Sequence, residues 1–337
     1  MVKVAIIGLG YWGPNLLRNF YQHPEIEVKA ICDLDFNKVS KFKNKYKEIA
    51  ITTTDYKEIL KEDLDLVAIA TPPETHYKIA KDVLLGGKHI LVEKPFTKTS
   101  EEAEELIEIA EKRNLKIFVD HTFVFHPVVR KIKEILEKRE LGEVYYFDSE
   151  RINLGRLQQG INVIWDLAVH DFSIISYLFS NLSFVKVQAF GSKHIHPYYE
   201  DIAHVILESK DGFIAHIHVS WLSPVKIRKT IIGGSEKMLW WDDIHPFEKL
   251  KIYDSKIEID FSKEDPFHPT YIKGEITIIP VENYEPLYKE VDSIVKSIKN
   301  NTKPEVDGYE GLRIVKLLES CDKSLKMGNK GIKIEKI

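Results

Sequence analysis

An aspartate and a histidine one helical turn apart form the clearest chemical pattern in the chain. Asp166 and His170 lie in the apolar segment 161–179, and Ser173 and Tyr177 continue the same predicted helix face. A carboxylate beside an imidazole orients the ring and favours its protonated form, which suits a general base near neutral pH. The pattern predicts acid–base chemistry by His170 with Asp166 as its orienting partner. A satisfied Asp–His pair in the core is the alternative.

A second charged pair stands at the end of a strand-like run. Glu93 and Lys94 follow the apolar residues 90–92 and precede Pro95. Charges at the tip of a buried strand cost desolvation unless something there uses them, and the proline restricts the backbone of the turn that follows. The pair therefore indicates either a ligand-binding turn or a solvated surface loop.

The secondary structure that positions these groups can be read from the sequence. The first part of the chain shows a repeating strand–helix pattern. Short apolar runs alternate with amphipathic segments, which predicts βαβ units around a parallel sheet. Thr99 or Ser100 is a candidate cap for one predicted helix, and Gly86-Gly87 ends the helix before it. The predicted strands are 2–8, 28–33, 65–71, 89–93 and 116–121.

A glycine-rich turn joins the first predicted strand to the first helix. It reads Gly8-Leu9-Gly10-Tyr11-Trp12-Gly13, hereafter the glycine loop. In this context Gly8 permits a tight turn, Gly10 lets backbone N–H groups approach a pyrophosphate, and Gly13 lets helix and strand pack closely. The helix N-terminus adds partial positive charge facing the phosphates. The loop predicts dinucleotide binding, with Tyr11 and Trp12 among the cofactor-binding residues.

An acid ends the second predicted strand. Asp33 lies 20 residues after Gly13, where a carboxylate hydrogen-bonds the adenosine ribose of a dinucleotide. The carboxylate would repel a 2′-phosphate and no arginine follows it, which favours NAD over NADP. Capping of the next helix is the alternative role for Asp33.

The pattern changes beyond residue 143, where longer alternating strands follow one another. Lys210-Asp211-Gly212 supplies one hairpin turn and Gly233-Gly234 another. We therefore predict a Rossmann domain over residues 1–122 and a second domain over residues 123–337. The predicted strands of the second domain are 143–153, 183–193, 201–209, 212–222 and 226–234.

Size and composition limit the function classes. The chain has 337 residues, enough for two domains with separate cores. A formal net charge of −4 without a basic stripe argues against a nucleic-acid partner. No apolar run approaches the ~18 residues of a membrane span, and the chain starts directly in a strand, so we expect a soluble, cytoplasmic protein with no membrane partner.

Cysteine and charged-residue usage add two further expectations. Cys32 and Cys321 have no paired spacing, which predicts two buried thiols, and no third ligand accompanies the Asp–His pair, which predicts no metal. Abundant Lys and Glu with little Gln are typical of heat-adapted proteins, so a thermophilic source is a hypothesis. A melting temperature in the mesophile range would contradict it.

Three motifs occur in order along the chain: "ATPPETH" at 70–76, "EKP" at 93–95 and "DLAVHD" at 166–171. With these motifs the chain resembles the Gfo/Idh/MocA oxidoreductase family, and the resemblance runs from "VKVAIIGLGYWG" to "DGYEGLRIVKLLESCDKSL". It implies an α/β Rossmann domain followed by an α+β domain with a large, mostly antiparallel sheet. It also implies a homodimer or homotetramer assembled through that sheet.

The resemblance implies roles for the EKP motif and for the turn after the fourth strand. Lys94 would reach both the nicotinamide ribose and the substrate, and Glu93 would lie beside that ribose. Thr71, Pro72 and His76 would line the cofactor, although His76 could instead cap a helix.

The same resemblance places the Asp–His pair at a substrate hydroxyl, which makes Lys94, Asp166 and His170 the implied catalytic residues. The chain looks like the branch that includes UDP-N-acetylglucosamine 3-dehydrogenases, which implies oxidation at C3 of a nucleotide sugar. His121, Arg156 and Asn162 are candidate substrate contacts, given in addition to Lys94 and His170. A free-polyol dehydrogenase of the myo-inositol kind and a non-catalytic NAD-binding sensor are the alternatives.

Overall fold

The structure, a computed structural model, describes residues 1–155, 157–158, 160–260, 262 and 268–334. It divides into two compact units. The first contains Met1–Phe125 and Tyr284–Lys316, and the second contains His126–Asn283 and Leu317–Ile337. The division falls close to the predicted boundary at residue 122. The return of Tyr284–Lys316 to the first unit differs from the prediction, which assigned this segment to the second domain.

Strands and helices are numbered in chain order across both units. The strands are β1 (Val2–Ile7), β2 (Ile26–Cys32), β3 (Ile51–Thr53), β4 (Leu66–Ile69), β5 (His89–Glu93), β6 (Ile117–Asp120), β7 (Val144–Leu154), β8 (Phe184–Ser192), β9 (Ile202–Ser209), β10 (Ile214–Ser220), β11 (Leu222–Gly234), β12 (Met238–Asp242), β13 (Leu250–Glu258), β14 (Thr270–Ile278) and β15 (Ile332–Lys333). The helices are α1 (Gly13–Gln22), α2 (Phe36–Lys45), α3 (Tyr56–Ile59), α4 (Pro73–Leu85), α5 (Ser100–Lys112), α6 (Pro127–Glu137), α7 (Val169–Leu178), α8 (Pro286–Lys299) and α9 (Gly308–Lys326).

The first unit is built on a six-stranded parallel sheet with the order β3-β2-β1-β4-β5-β6. All residues of β4 are buried, as expected for a strand covered on both faces. The predicted α/β Rossmann fold is confirmed. The edge strand β3 was not predicted, because its three residues, Ile-Thr-Thr, make no apolar run. Thr99 caps α5 by accepting from the N–H of Glu102.

Helix α8 explains why the late segment belongs to the first unit. Its residues Leu287, Val291 and Ile294 are buried in the same hydrophobic cluster as Leu16 and Phe20 of α1. An amphipathic helix at the end of the sequence carries no signal of which core it joins. Its assignment therefore depended on the structure.

The second unit is built on a nine-stranded sheet with the order β14-β13-β12-β11-β7-β10-β9-β8-β15. Only β7 and β10 pair in parallel, so the sheet is mostly antiparallel, as the resemblance implied. No helix among the described residues is long and apolar enough to cross a membrane.

Two glycines of the second unit combine the predicted hairpin turn with close packing. Gly233 and Gly234 end β11, and the N–H of Gly234 donates to the carbonyl oxygen of Lys237 in the turn to the antiparallel strand β12. A Cβ atom at Gly233 would lie 2.1 Å from the Tyr146 ring, and one at Gly234 would lie 2.2 Å from the carbonyl oxygen of Leu141. The hairpin predictions at Gly233-Gly234 and at Lys210-Asp211-Gly212, between β9 and β10, are both confirmed.

The predicted helix over 161–179 forms in two parts. A π-helical turn, Ile164–Ala168, precedes α7, so Asp166 lies in the π turn and His170 in the α-helix. A π turn contains more residues than an α turn, and the face drawn with α-helical spacing does not continue unchanged through Asp166. Such turns are frequent at functional sites.

Candidate active site

Two glycines of the glycine loop pack so closely against the backbone that a side chain would not fit. Gly8 has a φ of +97°, and a Cβ atom there would lie 2.4 Å from the carbonyl oxygen of Ala70. A Cβ atom at Gly13 would lie 1.9 Å from the carbonyl oxygen of Gly8, whereas one at Gly10 would meet no described heavy atom within 4 Å. Gly8 and Gly13 therefore hold the loop against the sheet and Gly10 leaves its backbone open. This cradle, at the N-terminus of α1, fits the pyrophosphate of a dinucleotide.

Asp33 holds the glycine loop from the adjacent strand. Its Oδ2 accepts from the N–H of Leu9 at 2.7 Å, and its Oδ1 accepts from the N–H of Asp35 at 2.9 Å. The cap of α2 is Asp35, which accepts from the N–H of Asn37. The alternative role for Asp33, capping of α2, is therefore taken by Asp35. The contact of Asp33 with the adenosine ribose stays a prediction.

His76 connects the turns that follow β4 and β5. Its Nδ1 lies 2.9 Å from the carbonyl oxygen of Pro95 and its Nε2 lies 2.8 Å from that of Thr71. Burial lowers the pKa of His76, and the two carbonyl contacts oppose that shift. Because the ring is only 1% exposed, its evident role is to brace the two turns. Cofactor contact by Thr71, Pro72 and His76 stays a prediction. The Lys94–Pro95 bond in the second turn is cis.

Lys94 acts electrostatically on several buried groups of the first unit. Burial lowers the pKa values of His76 and His121, and the positive charge of Lys94 lowers them further. Burial raises the pKa of Asp120, and the charge of Lys94 opposes that shift. Asp120 ends β6, and its register partner on β5 is Glu93. The ammonium group is therefore near the edge at which β5 and β6 end, hereafter the carboxyl edge. Open α/β sheets bind their ligands outside this edge.

His121 follows β6 directly and is 1% exposed. Burial, reinforced by the charge of Lys94, lowers its pKa to about 3. Neither ring nitrogen has a hydrogen-bond partner among the described residues. The side chain is therefore a neutral imidazole at physiological pH, and its predicted contact with substrate or nicotinamide stays a prediction.

In the second unit, a tryptophan that sequence analysis did not identify holds Asp166, the predicted orienting partner of His170. Asp166 Oδ2 accepts from the indole N–H of Trp221 at 3.0 Å. His170 is half-buried, and its carbonyl oxygen accepts from the hydroxyl of Ser173 at 2.7 Å. Trp221 lies between β10 and β11, 55 residues from Asp166. The orientation of His170 by Asp166 stays a prediction.

A buried ion pair anchors the helix that carries His170. Arg151 of β7 donates from Nε to Asp171 Oδ2 at 2.8 Å and from Nη2 to Asp171 Oδ1 at 3.2 Å. Asp171 is the last residue of the DLAVHD motif, which is the signal that could have identified it. The guanidinium group of Arg151 therefore fixes α7 to the sheet.

Asn162 caps the π turn. Its Oδ1 accepts from the N–H groups of Ile164 and Trp165, each at 3.1 Å, and its Nδ2 donates to Asp322 Oδ1 at 2.9 Å. These contacts and its 5% exposure give Asn162 a structural role, and its predicted substrate contact stays a prediction. Arg156, the other candidate of this segment, lies outside the described residues.

Two expectations concerned metals and thiols. Within the described ranges, no group of three or more His, Cys, Asp and Glu side chains is arranged to hold a metal ion. Cys32 and Cys321 are buried free thiols, as predicted. Burial raises the pKa of the Cys32 thiol to about 12, so it carries no thiolate at neutral pH.

The fold of the first unit and its glycine cradle define an NAD-binding oxidoreductase domain. Residues 2–121 match the oxidoreductase family with an NAD-binding Rossmann fold, and residues 129–239 match the GFO/IDH/MocA C-terminal domain. The chain is therefore an NAD-binding oxidoreductase, and it belongs to the Gfo/Idh/MocA family.

Curated relatives resemble the chain at modest identity. The uncharacterized oxidoreductase YrbE of Bacillus subtilis (strain 168) is 23% identical over 342 residues, which cover 97% of this chain and 95% of the relative. A UDP-N-acetylglucosamine 3-dehydrogenase of Acidithiobacillus ferrooxidans is 27% identical over 191 residues, which cover 56% of this chain and 58% of that enzyme. The second match thus spans little more than half of each protein.

Solved structures share the fold over almost the whole chain. A UDP-N-acetylglucosamine 3-dehydrogenase from Acidithiobacillus ferrooxidans has a TM-score of 0.77 at 22% identity and covers 93% of this chain and 94% of its own. GenD2 from gentamicin A biosynthesis, solved in complex with NAD, has a TM-score of 0.84 at 20% identity and covers 99% of this chain and 96% of its own.

Proposed function

We propose that the protein oxidises a secondary hydroxyl group, at C3, of a nucleotide sugar such as UDP-N-acetylglucosamine, with NAD⁺ as the oxidant. The observation that supports this most is the position of Lys94 directly after β5, at the carboxyl edge of a sheet whose glycine loop fits a dinucleotide. The names of the Acidithiobacillus ferrooxidans relatives favour the nucleotide-sugar substrate.

In the proposed reaction, NAD⁺ supplies the acceptor for the hydride that leaves the carbinol carbon. His170 removes the hydroxyl proton and acts as general base. Lys94 donates a hydrogen bond to the same oxygen and stabilises the negative charge that develops on it. Asp166, whose carboxylate is held by the Trp221 indole, orients the imidazole of His170. Gly8, Gly10 and Gly13 bind the pyrophosphate.

Two features of the chain fit these roles. Burial lowers the pKa of His121 to about 3, so this imidazole is neutral and adds no positive charge beside Lys94. The bond between Asp166 and Trp221 occupies one carboxylate oxygen and restricts the rotation of that side chain. A positioned carboxylate favours one tautomer and one orientation of a neighbouring imidazole.

The test is formation of NADH, followed by its absorbance, with UDP-sugars and free cyclitols offered separately. We expect the wild type to turn over UDP-N-acetylglucosamine. We expect His170→Asn to lose this turnover and to keep NAD binding. Turnover with cyclitols alone would replace the proposal with a polyol dehydrogenase. NAD binding without turnover on either panel would favour a non-catalytic sensor.

We also propose assembly into a homodimer or homotetramer through the sheet of the second unit. Phe190 of β8, Ile214 of β10 and Ile231 of β11 are 42%, 46% and 36% exposed, and each alternates along its strand with buried neighbours. They therefore share the sheet face that is less covered within the chain. Light scattering on the wild type and on Ile214→Lys tests the proposal, because a charge at an apolar interface disfavours association. A monomeric wild type would contradict it.

A further inference from the structure

Three elements of the first unit meet at one buried carboxyl group. The indole N–H of Trp12, at the start of α1, donates to Asp120 Oδ2 at 2.6 Å. The hydroxyl of Thr122 donates to Asp120 Oδ1. The carboxyl groups of Asp120 and of Glu290 in α8 are close enough for each to shift the pKa of the other. Asp120 and Glu290 are 2% and 1% exposed.

Two carboxyl groups in this relationship must keep one proton between them. Asp120 already accepts from an N–H and an O–H group, which stabilise its carboxylate form, so we infer that Glu290 keeps the proton. Burial raises the pKa of Glu290 well above its ordinary value, and the negative charges of Asp120 and Glu93 raise it further. Burial also raises the pKa of Asp120, and the hydrogen bonds from Thr122 and Trp12 and the charge of Lys94 oppose that shift. The charged groups facing the pair are thus Glu93, which favours the proton on Glu290, and Lys94, which favours the carboxylate of Asp120.

The position of Trp12 follows from the sheet order. Trp12 comes after β1, Asp120 ends β6, and β4 and β5 lie between these two strands. A side chain that joins the glycine loop to the end of β6 therefore bridges the part of the carboxyl edge where β4 and β5 end. The indole is only partly buried, so some of its surface stays accessible.

A bound dinucleotide would contact the Trp12 indole with its nicotinamide half. Asp33, at the end of β2, marks the adenosine side, and the glycine loop receives the pyrophosphate. The nicotinamide half then extends over the ends of β4 and β5, on the side of the loop toward Trp12. An aromatic ring held there can pack against the nicotinamide ribose and ring.

We propose that Trp12 is the packing surface for the nicotinamide half of NAD and that Asp120 and Glu290 are positioning residues, which fix the indole through a proton shared between their carboxyl groups. This proposal rests on the NAD-binding part of the proposed function and is independent of the sugar substrate.

The experiment compares two ligands, NADH and ADP-ribose, by calorimetry. ADP-ribose lacks the nicotinamide ring and keeps the remainder of the dinucleotide. Trp12→Phe removes the N–H group and keeps an aromatic ring, and Glu290→Leu removes the proton donor to Asp120. We expect each variant to weaken NADH about three- to tenfold, the range of an aromatic contact, with ADP-ribose affinity changed less than about twofold.

Glu290→Gln is the matched variant, because its amide still donates to Asp120 but cannot lose a proton. It should bind both ligands as the wild type does. In the wild type the preference for NADH over ADP-ribose should fall as the pH rises and Glu290 ionises, and in Glu290→Gln it should not. Glu105→Gln, a surface change on α5, is the control.

Equal losses for both ligands in Trp12→Phe would mean that Trp12 only supports the loop, and would overturn the proposal. Unchanged NADH affinity in Trp12→Phe would overturn it as well. Trp12 is partly exposed, so this variant provides the decisive measurement even if Glu290→Leu does not fold. Because no sugar is present, failure of the dehydrogenase assay leaves this result intact.

Discussion

Arg151 and Asp171 form a bidentate ion pair, with nitrogen–oxygen distances of 2.8 and 3.2 Å, in which the residues are 5% and 1% exposed. The pair connects β7 to α7 immediately after His170 in sequence. The backbone that presents the proposed base is therefore anchored by a charge-assisted contact that no solvent screens.

Asp171→Asn tests that anchor. The substitution removes the bidentate carboxylate from the buried Arg151 guanidinium, so we expect the free energy of unfolding to fall by about 3–5 kcal/mol. Chemical denaturation measures the change. Glu134→Gln removes the exposed Lys131–Glu134 pair and should change stability by less than about 1 kcal/mol. Equal denaturation midpoints for Asp171→Asn and the wild type would show that the pair does not anchor α7.

Lys94→Ala should separate catalysis from cofactor binding. Loss of a hydrogen-bond donor to the developing oxyanion lowers kcat by about 10²–10³-fold. The Kd for NADH should stay within about threefold of the wild-type value, because the glycine loop and Asp33 are unchanged. Initial rates and calorimetry give the two quantities, with Lys112→Ala on the surface of α5 as the control. Near-normal turnover would remove Lys94 from the mechanism.

Gly13→Ala should lower the stability of the apoprotein, whereas Gly10→Ala should lower the affinity for NAD. The Cβ atom at position 13 would lie 1.9 Å from the carbonyl oxygen of Gly8, so Gly13→Ala should destabilise the protein without any ligand. Gly10→Ala meets open space, so the apoprotein should melt as the wild type does. It should lose most of the stabilisation by NAD, about 2.7 kcal/mol at a hundred times the Kd.

Thermal melting with and without NAD distinguishes the two glycine variants. Normal stabilisation of Gly10→Ala by NAD would show that the pyrophosphate binds elsewhere.

Glu290 makes stability depend on pH in a defined direction. Burial and neighbouring acids raise its pKa in the folded state well above the ordinary value. A group shifted in this direction contributes stability below its unfolded pKa and loses it as the pH rises through the folded pKa. Glu290→Gln should therefore gain stability relative to the wild type as the pH increases from about 4.5. Melting temperatures across the pH range test this, and a difference that does not vary with pH would contradict it.

The sequence predicted those parts of the site that depend on local pattern. The glycine loop and Asp33 follow from strand–turn–helix order, and the N-cap of α5 at Thr99 follows from capping preference. These features involve residues a few positions apart or a fixed offset within one βαβ unit.

The contacts that sequence reasoning missed join distant segments. Trp221 meets Asp166 across 55 positions, and Trp12 meets Asp120 across 108. Neither pair has a periodicity to detect, and the partners of a buried polar atom depend on which strands become neighbours. The π turn before α7 was missed for a related reason, since its residues have no distinctive local preference.

The return of α8 to the first unit has a consequence for synthesis of the protein. Leu287, Val291 and Ile294 complete the core that β1 and α1 begin. We expect a nascent chain on the ribosome to leave part of this core exposed to solvent until residues 284–316 have been synthesised. Chaperone capture in that interval should decline once α8 has emerged from the exit tunnel.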